Sequence, residues 1–382
     1  MRPTVTTVSD TVVTPELRLD LDVLERNVAR MAARAQALGV ALRPHLKTHK
    51  CVEIARLQRE AGARGVTVAT FPEARAFARG GFDDILLAFP LDPGKAPEAI
   101  AMAREIRRFI AVVDDRGAAE ALAAAARAAG LRLAVRLKVD CGYHRAGVDP
   151  ASPASVELAR FLAGAPSLEF DGILSHSGHA YSQPTPDAIA AIAEEERRVM
   201  AAFAGTLRAA GVTVKSVSVG STPSMTFVQS LSGVDEARPG NYVFYDGMQV
   251  ALGTCGVEDV AVSVVATVVS HQANASHFVI DAGALSLSKD GGPAHVARHL
   301  GMGLLLDETG RDVEPGLRLE ALSQEHGLVR ADAPGRLSGR FRVGDRVRVL
   351  PNHSCLAAAH FDAYACVRGG RAAGRWRIDR TR

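Results

Sequence analysis

Between residues 20 and 250, short apolar runs alternate with longer segments in which apolar residues recur every three or four positions. In the first long segment, Leu24, Val28 and Met31 share one face, and this spacing predicts an amphipathic helix. The apolar runs predict strands of a parallel sheet covered by helices on both faces. The predicted strands are 40–43, 65–69, 84–88, 108–113, 131–139, 170–175, 214–219 and 242–245. The predicted helices are 21–38, 52–61, 72–80, 96–107, 117–129, 154–164 and 185–210.

Eight predicted strands alternate with seven predicted helices over residues 21–250. This repetition predicts an α/β fold of the closed (β/α)8 TIM-barrel type. An open, doubly wound α/β sheet is the alternative architecture. We favour the barrel because no GxGxxG motif opens the first unit, as it does in doubly wound sheets that bind dinucleotides.

The pattern changes near residue 250, after which helical periodicity is nearly absent. Short β-like runs joined by Gly, Asp and Pro turns predict a mostly antiparallel β-domain over residues 251–382. Residues 1–20 are assigned to the same domain, because Leu17–Leu19 is a candidate strand. The other predicted strands of this domain are 260–269, 278–281, 317–322, 346–350 and 363–367.

Composition excludes several classes of protein. Apolar residues make up 47% and charged residues 23%, which excludes a disordered or fibrous chain. A net charge of +3 and dispersed basic residues argue against nucleic-acid binding. No apolar run approaches the ~18 residues of a membrane helix, so no membrane association is expected. The five cysteines are odd in number and form no CxxC pair, which predicts free thiols and a cytoplasmic location.

Candidate chemistry follows the predicted strands, because barrel enzymes act at the carboxyl ends of their strands. RPHLKTHK, residues 43–50, comes directly after the first strand. One interpretation is a solvated basic loop. The other is that Lys47 lies near the barrel axis, where desolvation and cationic neighbours favour the neutral amine and imine formation.

Four more polar motifs lie near the ends of later predicted strands: DCGYHRAGV (140–148), HSGHAY (176–181), VGSTPS (219–224) and ARPGNYVFYD (237–246). Each has an ordinary structural interpretation, such as a surface pair between Arg145 and Asp140 or a common turn at 220–222. In the β-domain, LPNHSC (350–355) places His353 and Cys355 two residues apart, on the same side of an extended strand. Imidazole and thiolate together suit Zn²⁺, although a buried Cys beside a capping His is the alternative.

Taken in order from about Thr14 to the C-terminus, these motifs resemble the fold-type III pyridoxal-phosphate enzymes. More narrowly, they are similar to the metal-activated branch that contains D-serine dehydratase, D-threo-3-hydroxyaspartate dehydratase and D-threonine aldolase. The resemblance implies a barrel like the alanine racemase N-terminal domain, a homodimer and pyridoxal 5'-phosphate bound covalently at Lys47. Lys50 is then a neighbour of the cofactor lysine.

The resemblance also assigns the remaining site residues. Arg145 contacts the phenolic oxygen of the cofactor, His176 lies against the pyridine ring, and Tyr181 hydrogen-bonds the pyridine nitrogen. Arg238 competes with Tyr181 for that nitrogen. The residues expected to bind the phosphate are Ser221, Thr222, Gly240 and Asn241. The residues expected to bind a divalent metal are His353 and Cys355, with Zn²⁺ favoured and Mn²⁺ or Mg²⁺ left open; Glu325 or His326 would support them, and Lys289 would face solvent.

The expected activity is dehydration of a D-3-hydroxy amino acid, either D-serine or D-threo-3-hydroxyaspartate, to a 2-oxo acid and ammonia. GSTPS, PGNYVFYD, QEHG and PNHSC look closer to the dehydratases, and D-threonine aldolases tend to carry HxD where this chain has His353 and Cys355. Retro-aldol cleavage to glycine and an aldehyde is the nearest alternative. An amino-acid racemase and a non-catalytic pyridoxal-phosphate carrier are the further alternatives.

Overall fold

The structure is a computed structural model that describes residues 13–271, 276–297, 300–306, 313–333, 336–337 and 340–380. The strands are β1 (Glu16–Asp20), β2 (Ala41–Leu42), β3 (Val66–Val68), β4 (Asp84–Pro90), β5 (Arg108–Val113), β6 (Leu133–Lys138), β7 (Leu168–Leu174), β8 (Ser216–Val219), β9 (Glu236–Ala237), β10 (Val262–His271), β11 (His277–Ile280), β12 (Gly303–Leu306), β13 (Leu317–Leu322), β14 (Gly327–Ala331), β15 (Arg346–Pro351), β16 (Ala363–Arg368) and β17 (Arg371–Arg377). The helices are α1 (Leu21–Ala37), α2 (Val52–Glu60), α3 (Phe71–Arg79), α4 (Ala96–Glu105), α5 (Arg116–Ala128), α6 (Pro153–Gly164), α7 (Pro186–Ala209), α8 (Thr222–Phe227), α9 (Gly247–Ala251), α10 (Ala284–Leu287) and α11 (Ser354–Ala358).

The described chain forms two compact units. The barrel unit comprises Val28–Tyr242 and the residues from Asp379 onward, and the β unit comprises the residues up to Asn27 together with Val243–Ile378. The predicted domain boundaries, after residues 20 and 250, lie near these bounds without coinciding with them.

The barrel unit contains a parallel eight-stranded sheet in the order β2-β9-β8-β7-β6-β5-β4-β3. A parallel bridge between His45, just beyond β2, and Thr67 of β3 joins the two ends of this order. Leu86, Ile110, Val112, Ala134 and Leu174 form a buried apolar cluster on its strands. Each of the Leu, Ile and Val side chains contributes about 1.5–3 kcal/mol on burial. The predicted (β/α)8 barrel is confirmed, and the doubly wound sheet is excluded.

The predicted last barrel strand is wrong. Residues 242–245 include part of a 3₁₀ turn, Asn241–Val243, and the eighth strand is β9, Glu236–Ala237. The side chain of Glu236 is buried, and its carboxylate accepts hydrogen bonds from Arg43 and Arg136. An apolar-run search misses such a strand, because ion pairs inside the barrel take the place of apolar packing.

The β unit contains a nine-stranded sheet. β1 pairs with β10 in antiparallel and with β16 in parallel orientation, which confirms the predicted strand at Leu17–Leu19. The other described pairings in this sheet are antiparallel, as predicted. Three strands, β12, β14 and β17, were not predicted; β17 alternates poorly because it is rich in Arg and exposed along most of its length.

All five cysteines lie in the described residues, and none of them is in a disulfide, as predicted. Among the described helices, none has the length and apolar content needed to cross a membrane.

Candidate active site

Lys47 lies on a 3₁₀ turn, Leu46–Thr48, immediately beyond β2. Its backbone N–H donates to His45 Nδ1 at 3.4 Å, so His45 begins the turn. In the described residues no carboxylate oxygen lies within 4.0 Å of Lys47 Nζ. Lys47 is exposed, so the expectation of a desolvated amine is wrong in this structure.

Lys50, three residues further on, is committed to an ion pair. Its Nζ lies 2.8 Å from Glu73 Oε1, and Glu73 is buried while it also accepts the Ala69 N–H at 2.7 Å. Lys50 has a left-handed backbone, with φ 48°, which directs the chain into α2. The structure therefore distinguishes the two lysines of this motif. In the described residues the Lys47 amine has no carboxylate partner, whereas the Lys50 amine is paired with Glu73.

Positive charge concentrates around two histidines at the carboxyl ends of the barrel strands. Burial, Lys47 and Arg238 lower the pKa of His45, and burial, Lys138 and Lys47 lower that of His176. Both rings are consequently neutral at neutral pH. This concentration of cations is suited to an anionic ligand.

Lys138 is a site residue that the sequence reasoning missed. It is the last residue of β6 and is buried, and burial together with Arg238 lowers its pKa to about 8. Its sequence signal is a basic residue within a mostly apolar strand, a signal that Arg136 of the same strand shares.

The loop after β6 presents Arg145 beside aromatic rings. Asp140 accepts hydrogen bonds from the backbone N–H and the Nδ1 of His144, at 3.0 and 2.9 Å, so it pairs with His144 and not with Arg145. The Arg145 guanidinium carbon lies 4.9 Å from the centre of the Tyr143 ring. The surface pair between Asp140 and Arg145 is therefore not formed.

Tyr143 links this loop to the loop after β7, and its role was also missed. Its ring stacks on His179 with centroids 5.7 Å apart and meets His176 edge-on at 6.2 Å. A Cβ atom on Gly178 would lie 2.4 Å from the Tyr143 ring, so glycine is required at that position. Tyr181 lies nearby in the 3₁₀ turn Gly178–Ser182 and is half-buried.

The turn after β8 carries Ser221 and Thr222. Gly220 has φ +101°, a conformation that favours glycine, and Ser221 begins α8 with a capping box formed with Ser224. Thr222 Oγ1 accepts the Tyr242 N–H at 3.1 Å. In this structure both hydroxyls stabilise the turn itself.

The segment after β9 approaches the Lys47 turn. The His45 N–H donates to Pro239 O at 3.0 Å, and a Cβ atom on Gly240 would lie 2.8 Å from His45 O. Asn241 is buried at the start of the next 3₁₀ turn. The segment that carries Gly240 and Asn241 therefore lies beside the turn that carries Lys47.

Arg238 points into the barrel. Its guanidinium donates to Ser218 Oγ and to Ser175 O, and burial lowers its pKa to about 10. Those bonds disfavour its alternative role at the pyridine nitrogen, because two of its donors are already engaged.

A buried ion network lies deeper in the barrel. Arg43 bridges Glu236 at 2.6 Å and Asp84 at 2.7 Å, and Arg136 bridges Glu236 and Asp171, each at 2.7 Å. Burial alone would raise the pKa of Glu236, but Arg136 and Arg43 hold it well below the usual range. This network supports the strands that carry the site.

The candidate metal pair is in the β unit. His353 begins α11 and Cys355 lies within it, so the expectation that both residues lie on an extended strand is wrong. His353 Nδ1 is 2.8 Å from Asp290 Oδ2. Burial disfavours the charged ring, but the hydrogen bonds with Asp290 and Cys355 raise the pKa of His353 to about 11.

The carboxylate beside this pair belongs to Asp290. Asp290, missed by the sequence reasoning, contacts His353, whereas Glu325 and His326 are exposed in the turn between β13 and β14. Lys289 is exposed, as predicted. Among the described residues, no group of three or more His, Cys, Asp or Glu side chains is arranged for a metal. The protein donors found are therefore one imidazole and one thiol.

Two family models match the chain. The model of the alanine racemase N-terminal domain covers residues 19–247, and that of a putative serine dehydratase domain covers residues 261–367. The chain therefore belongs to the family of fold-type III pyridoxal-phosphate enzymes that contains D-threo-3-hydroxyaspartate dehydratase, D-serine dehydratase and D-threonine aldolase.

Individual relatives span nearly the whole chain. D-threo-3-hydroxyaspartate dehydratase of Delftia sp. (strain HT23) is 41% identical over 95% of this chain and 96% of its own. D-serine dehydratase of Dictyostelium discoideum is 37% identical over 90% of each chain. The solved structure of the Delftia enzyme superposes with a TM-score of 0.92 at 40% identity, over 96% of this chain and 98% of that chain. A cysteine-to-alanine variant of that dehydratase is described as a metal-free form.

Proposed function

We propose that this protein is a pyridoxal-phosphate- and divalent-metal-dependent dehydratase of D-3-hydroxy amino acids. The substrate is D-threo-3-hydroxyaspartate or D-serine, and the products are a 2-oxo acid and ammonia. The observation that carries the proposal is the availability of Lys47: it follows a barrel strand, lacks a carboxylate partner in the described residues and lies, with Arg238, near His45 and His176. The 41% identity to a dehydratase of this class supports it.

The residues of the barrel unit fit pyridoxal phosphate. The cluster of Lys47, Lys138 and Arg238 supplies positive charge for an anionic cofactor. The close approach of Gly240 to His45 leaves no room for a side chain where backbone amides would bind the phosphate. When bound, the cofactor supplies an electron sink for the negative charge that develops at the substrate Cα.

Lys47 would hold the cofactor through its Nζ, and the same amine would accept the proton from the substrate Cα. Arg145 provides a fixed cation, held over Tyr143, for the cofactor's phenolic oxygen. His176 has a lowered pKa, caused by burial, Lys138 and Lys47. Its neutral ring would lie against the cofactor without adding charge. Tyr181 is assigned to the pyridine nitrogen, and Ser221, Thr222, Gly240 and Asn241 to the phosphate.

His353 and Cys355 fit a borderline-soft divalent metal, with Zn²⁺ favoured. Because Asp290 engages His353 Nδ1, the other ring nitrogen, Nε2, is left as the ligand atom. The metal supplies Lewis-acid assistance to departure of the substrate β-hydroxyl. Metal analysis of the purified protein tests this assignment, and light scattering tests the homodimer that we propose with it.

Retro-aldol cleavage is the second candidate function. D-threonine aldolase of Arthrobacter sp. is 31% identical over 96% of this chain. Cys355 favours the dehydratase, since the aldolases tend to carry an aspartate at that place in the HxD pair.

One assay separates the candidates. The protein is incubated with D-serine, D-threo-3-hydroxyaspartate and D-threonine, with and without a chelator, and ammonia, glycine and the enantiomeric composition are measured. The dehydratase releases ammonia, the aldolase releases glycine, and a racemase yields the L-isomer. Turnover of L-isomers alone, or turnover that a chelator does not affect, would contradict the proposed function.

A further inference from the structure

Glu196 is a buried carboxylate in the middle of α7, and it is not among the residues assigned to the site. Its two sequence neighbours behave differently: Glu194 pairs with Arg197 and Glu195 with Arg198 on the exposed face of the helix. In the described residues no lysine, arginine or histidine nitrogen lies within 4.0 Å of the Glu196 carboxylate.

The Glu196 carboxylate binds residues that follow two neighbouring barrel strands. Oε1 accepts from Ser175 Oγ at 2.7 Å, and Oε2 accepts from Ser177 Oγ at 2.6 Å. Oε2 also accepts the Gly220 N–H at 3.3 Å. Ser175 and Ser177 flank His176, so the peptide on each side of this histidine is tied to the same carboxylate, which also holds the residue preceding Ser221.

Two further contacts connect Glu196 to the loop after β6 and to the turn after β8. Cys141, in the loop after β6, lies with its Sγ 3.9 Å from Glu196 Oε1. Ser177 Oγ is 3.3 Å from Ser224 Oγ, and Ser224 closes the capping box of Ser221. The loops that carry Arg145, His176 and Ser221 therefore converge on a single side chain.

An ionised carboxylate is an expensive group to bury, because its loss of hydration must be offset by hydrogen bonds or by nearby charge. Lys138 and Arg238 provide that charge, since Glu196 favours the protonated form of each. Well-packed apolar residues often stabilise a fold at least as well as such a group. The geometry thus indicates that Glu196 serves the arrangement of the loops more than their stability.

We propose that Glu196 is a positioning residue, which fixes His176 and the turn 220–222 relative to one another so that the ring site and the phosphate site of the cofactor are formed before it binds. This inference rests on the proposed function, because it takes pyridoxal phosphate as the ligand. Preorganisation of this kind lowers the cost of ordering loops on binding and so increases affinity.

The test compares Glu196→Gln with Glu194→Gln and Glu195→Gln, which make the same chemical change on the same helix at exposed positions. The dissociation constant of pyridoxal phosphate is measured by equilibrium dialysis of the apoprotein, together with the visible absorbance maximum of the bound cofactor. The amide removes the charge and replaces one acceptor by a donor. We expect the dissociation constant to rise at least about tenfold, equivalent to about 1.4 kcal/mol, with a shifted absorbance maximum. The two control variants should match the wild type.

The outcomes separate this inference from the proposed function. Wild-type protein that binds no pyridoxal phosphate overturns both. A wild type that binds the cofactor while Glu196→Gln binds it equally, with an unchanged absorbance maximum, overturns the positioning role alone, even if the variant unfolds at a lower temperature. If Glu196→Gln does not fold, Ser177→Ala gives the same measurement, since it removes the hydroxyl that donates to Oε2 and leaves the carboxylate and its Gly220 contact. An unchanged dissociation constant in that variant overturns the inference.

Discussion

The candidate site of the barrel unit and the candidate metal pair of the β unit are built in different ways. The barrel site draws residues from the ends of five strands, β2, β6, β7, β8 and β9, and rests on buried ionic contacts. The metal pair comes from one short segment, His353–Cys355, with Asp290 as a distant partner. A site assembled from many strands depends on the fold, whereas a site within one segment depends mostly on local sequence and on one long-range contact.

This difference decides which site residues a sequence motif can identify. Motifs at strand ends identify where a barrel site lies, because every strand end points to the same side of the barrel. They do not identify the groups beneath, such as Lys138, Glu196 and Glu236, which lie within strands or helices. Each of the following predictions tests one layer of that comparison.

The largest effect is expected at the cofactor lysine. Lys47→Ala should abolish the visible absorbance of bound pyridoxal phosphate and lower kcat at least about 10³-fold, because it removes both the covalent attachment and the proton acceptor. Lys50→Ala, the matched control, should keep the absorbance, since Lys50 pairs with Glu73. Absorbance lost in the Lys50 variant and kept in the Lys47 variant would reverse the assignment.

The next effect concerns stability and tests the buried network of the barrel. Glu236→Gln should lower the free energy of unfolding by about 3–5 kcal/mol, because Arg43 and Arg136 would each lose a buried partner. Urea denaturation measures the change. Glu120→Gln, which breaks the exposed pair with Arg116, should leave the midpoint nearly unchanged.

The contribution of Glu236 to the free energy of unfolding should also depend on pH. Since the pKa of Glu236 is lower in the folded than in the unfolded state, its stabilisation is present in full above the unfolded pKa of ~4.3 and is lost as the pH falls toward the folded pKa. Wild-type protein should therefore lose more stability than Glu236→Gln between about pH 5 and pH 3. Parallel curves for the two proteins would show that folding does not lower the pKa of Glu236.

A substitution in the metal pair should weaken metal binding without changing cofactor binding. Cys355→Ala should reduce metal affinity more than about 100-fold, because a direct ligand contributes more than a supporting residue. The absorbance of bound pyridoxal phosphate should persist. Metal content by elemental analysis and the cofactor spectrum distinguish the two effects, and loss of both together would contradict independent sites.

The smallest effect is expected at the residue that orients the metal ligand. Asp290→Asn should weaken metal binding about 10–100-fold, since it removes the charged partner of His353 Nδ1. Lys289→Ala, at the exposed neighbouring position, is the control. Competition with a chromogenic chelator measures both affinities, and equal values for the two variants would remove Asp290 from the site.

The sequence by itself determined the two-part organisation, the barrel, most strands and helices, and the positions at which polar motifs follow strands. These features depend on local periodicity, since a strand or helix buries one face and its apolar spacing records that face. The motif at 43–50 could also be located this way, but the choice between Lys47 and Lys50 could not be made from charge and spacing alone.

Only the tertiary structure decided which of the polar groups meet. Glu73 lies 23 positions after Lys50, Asp290 lies 63 positions before His353, and Glu196 ties together three loops that are separate in the chain. The apolar pattern does not predict β9, because Glu236 in this strand is buried through its contacts with arginine. Hydrogen bonds and ion pairs of this kind depend on distance in space, and no local pattern of residues records them.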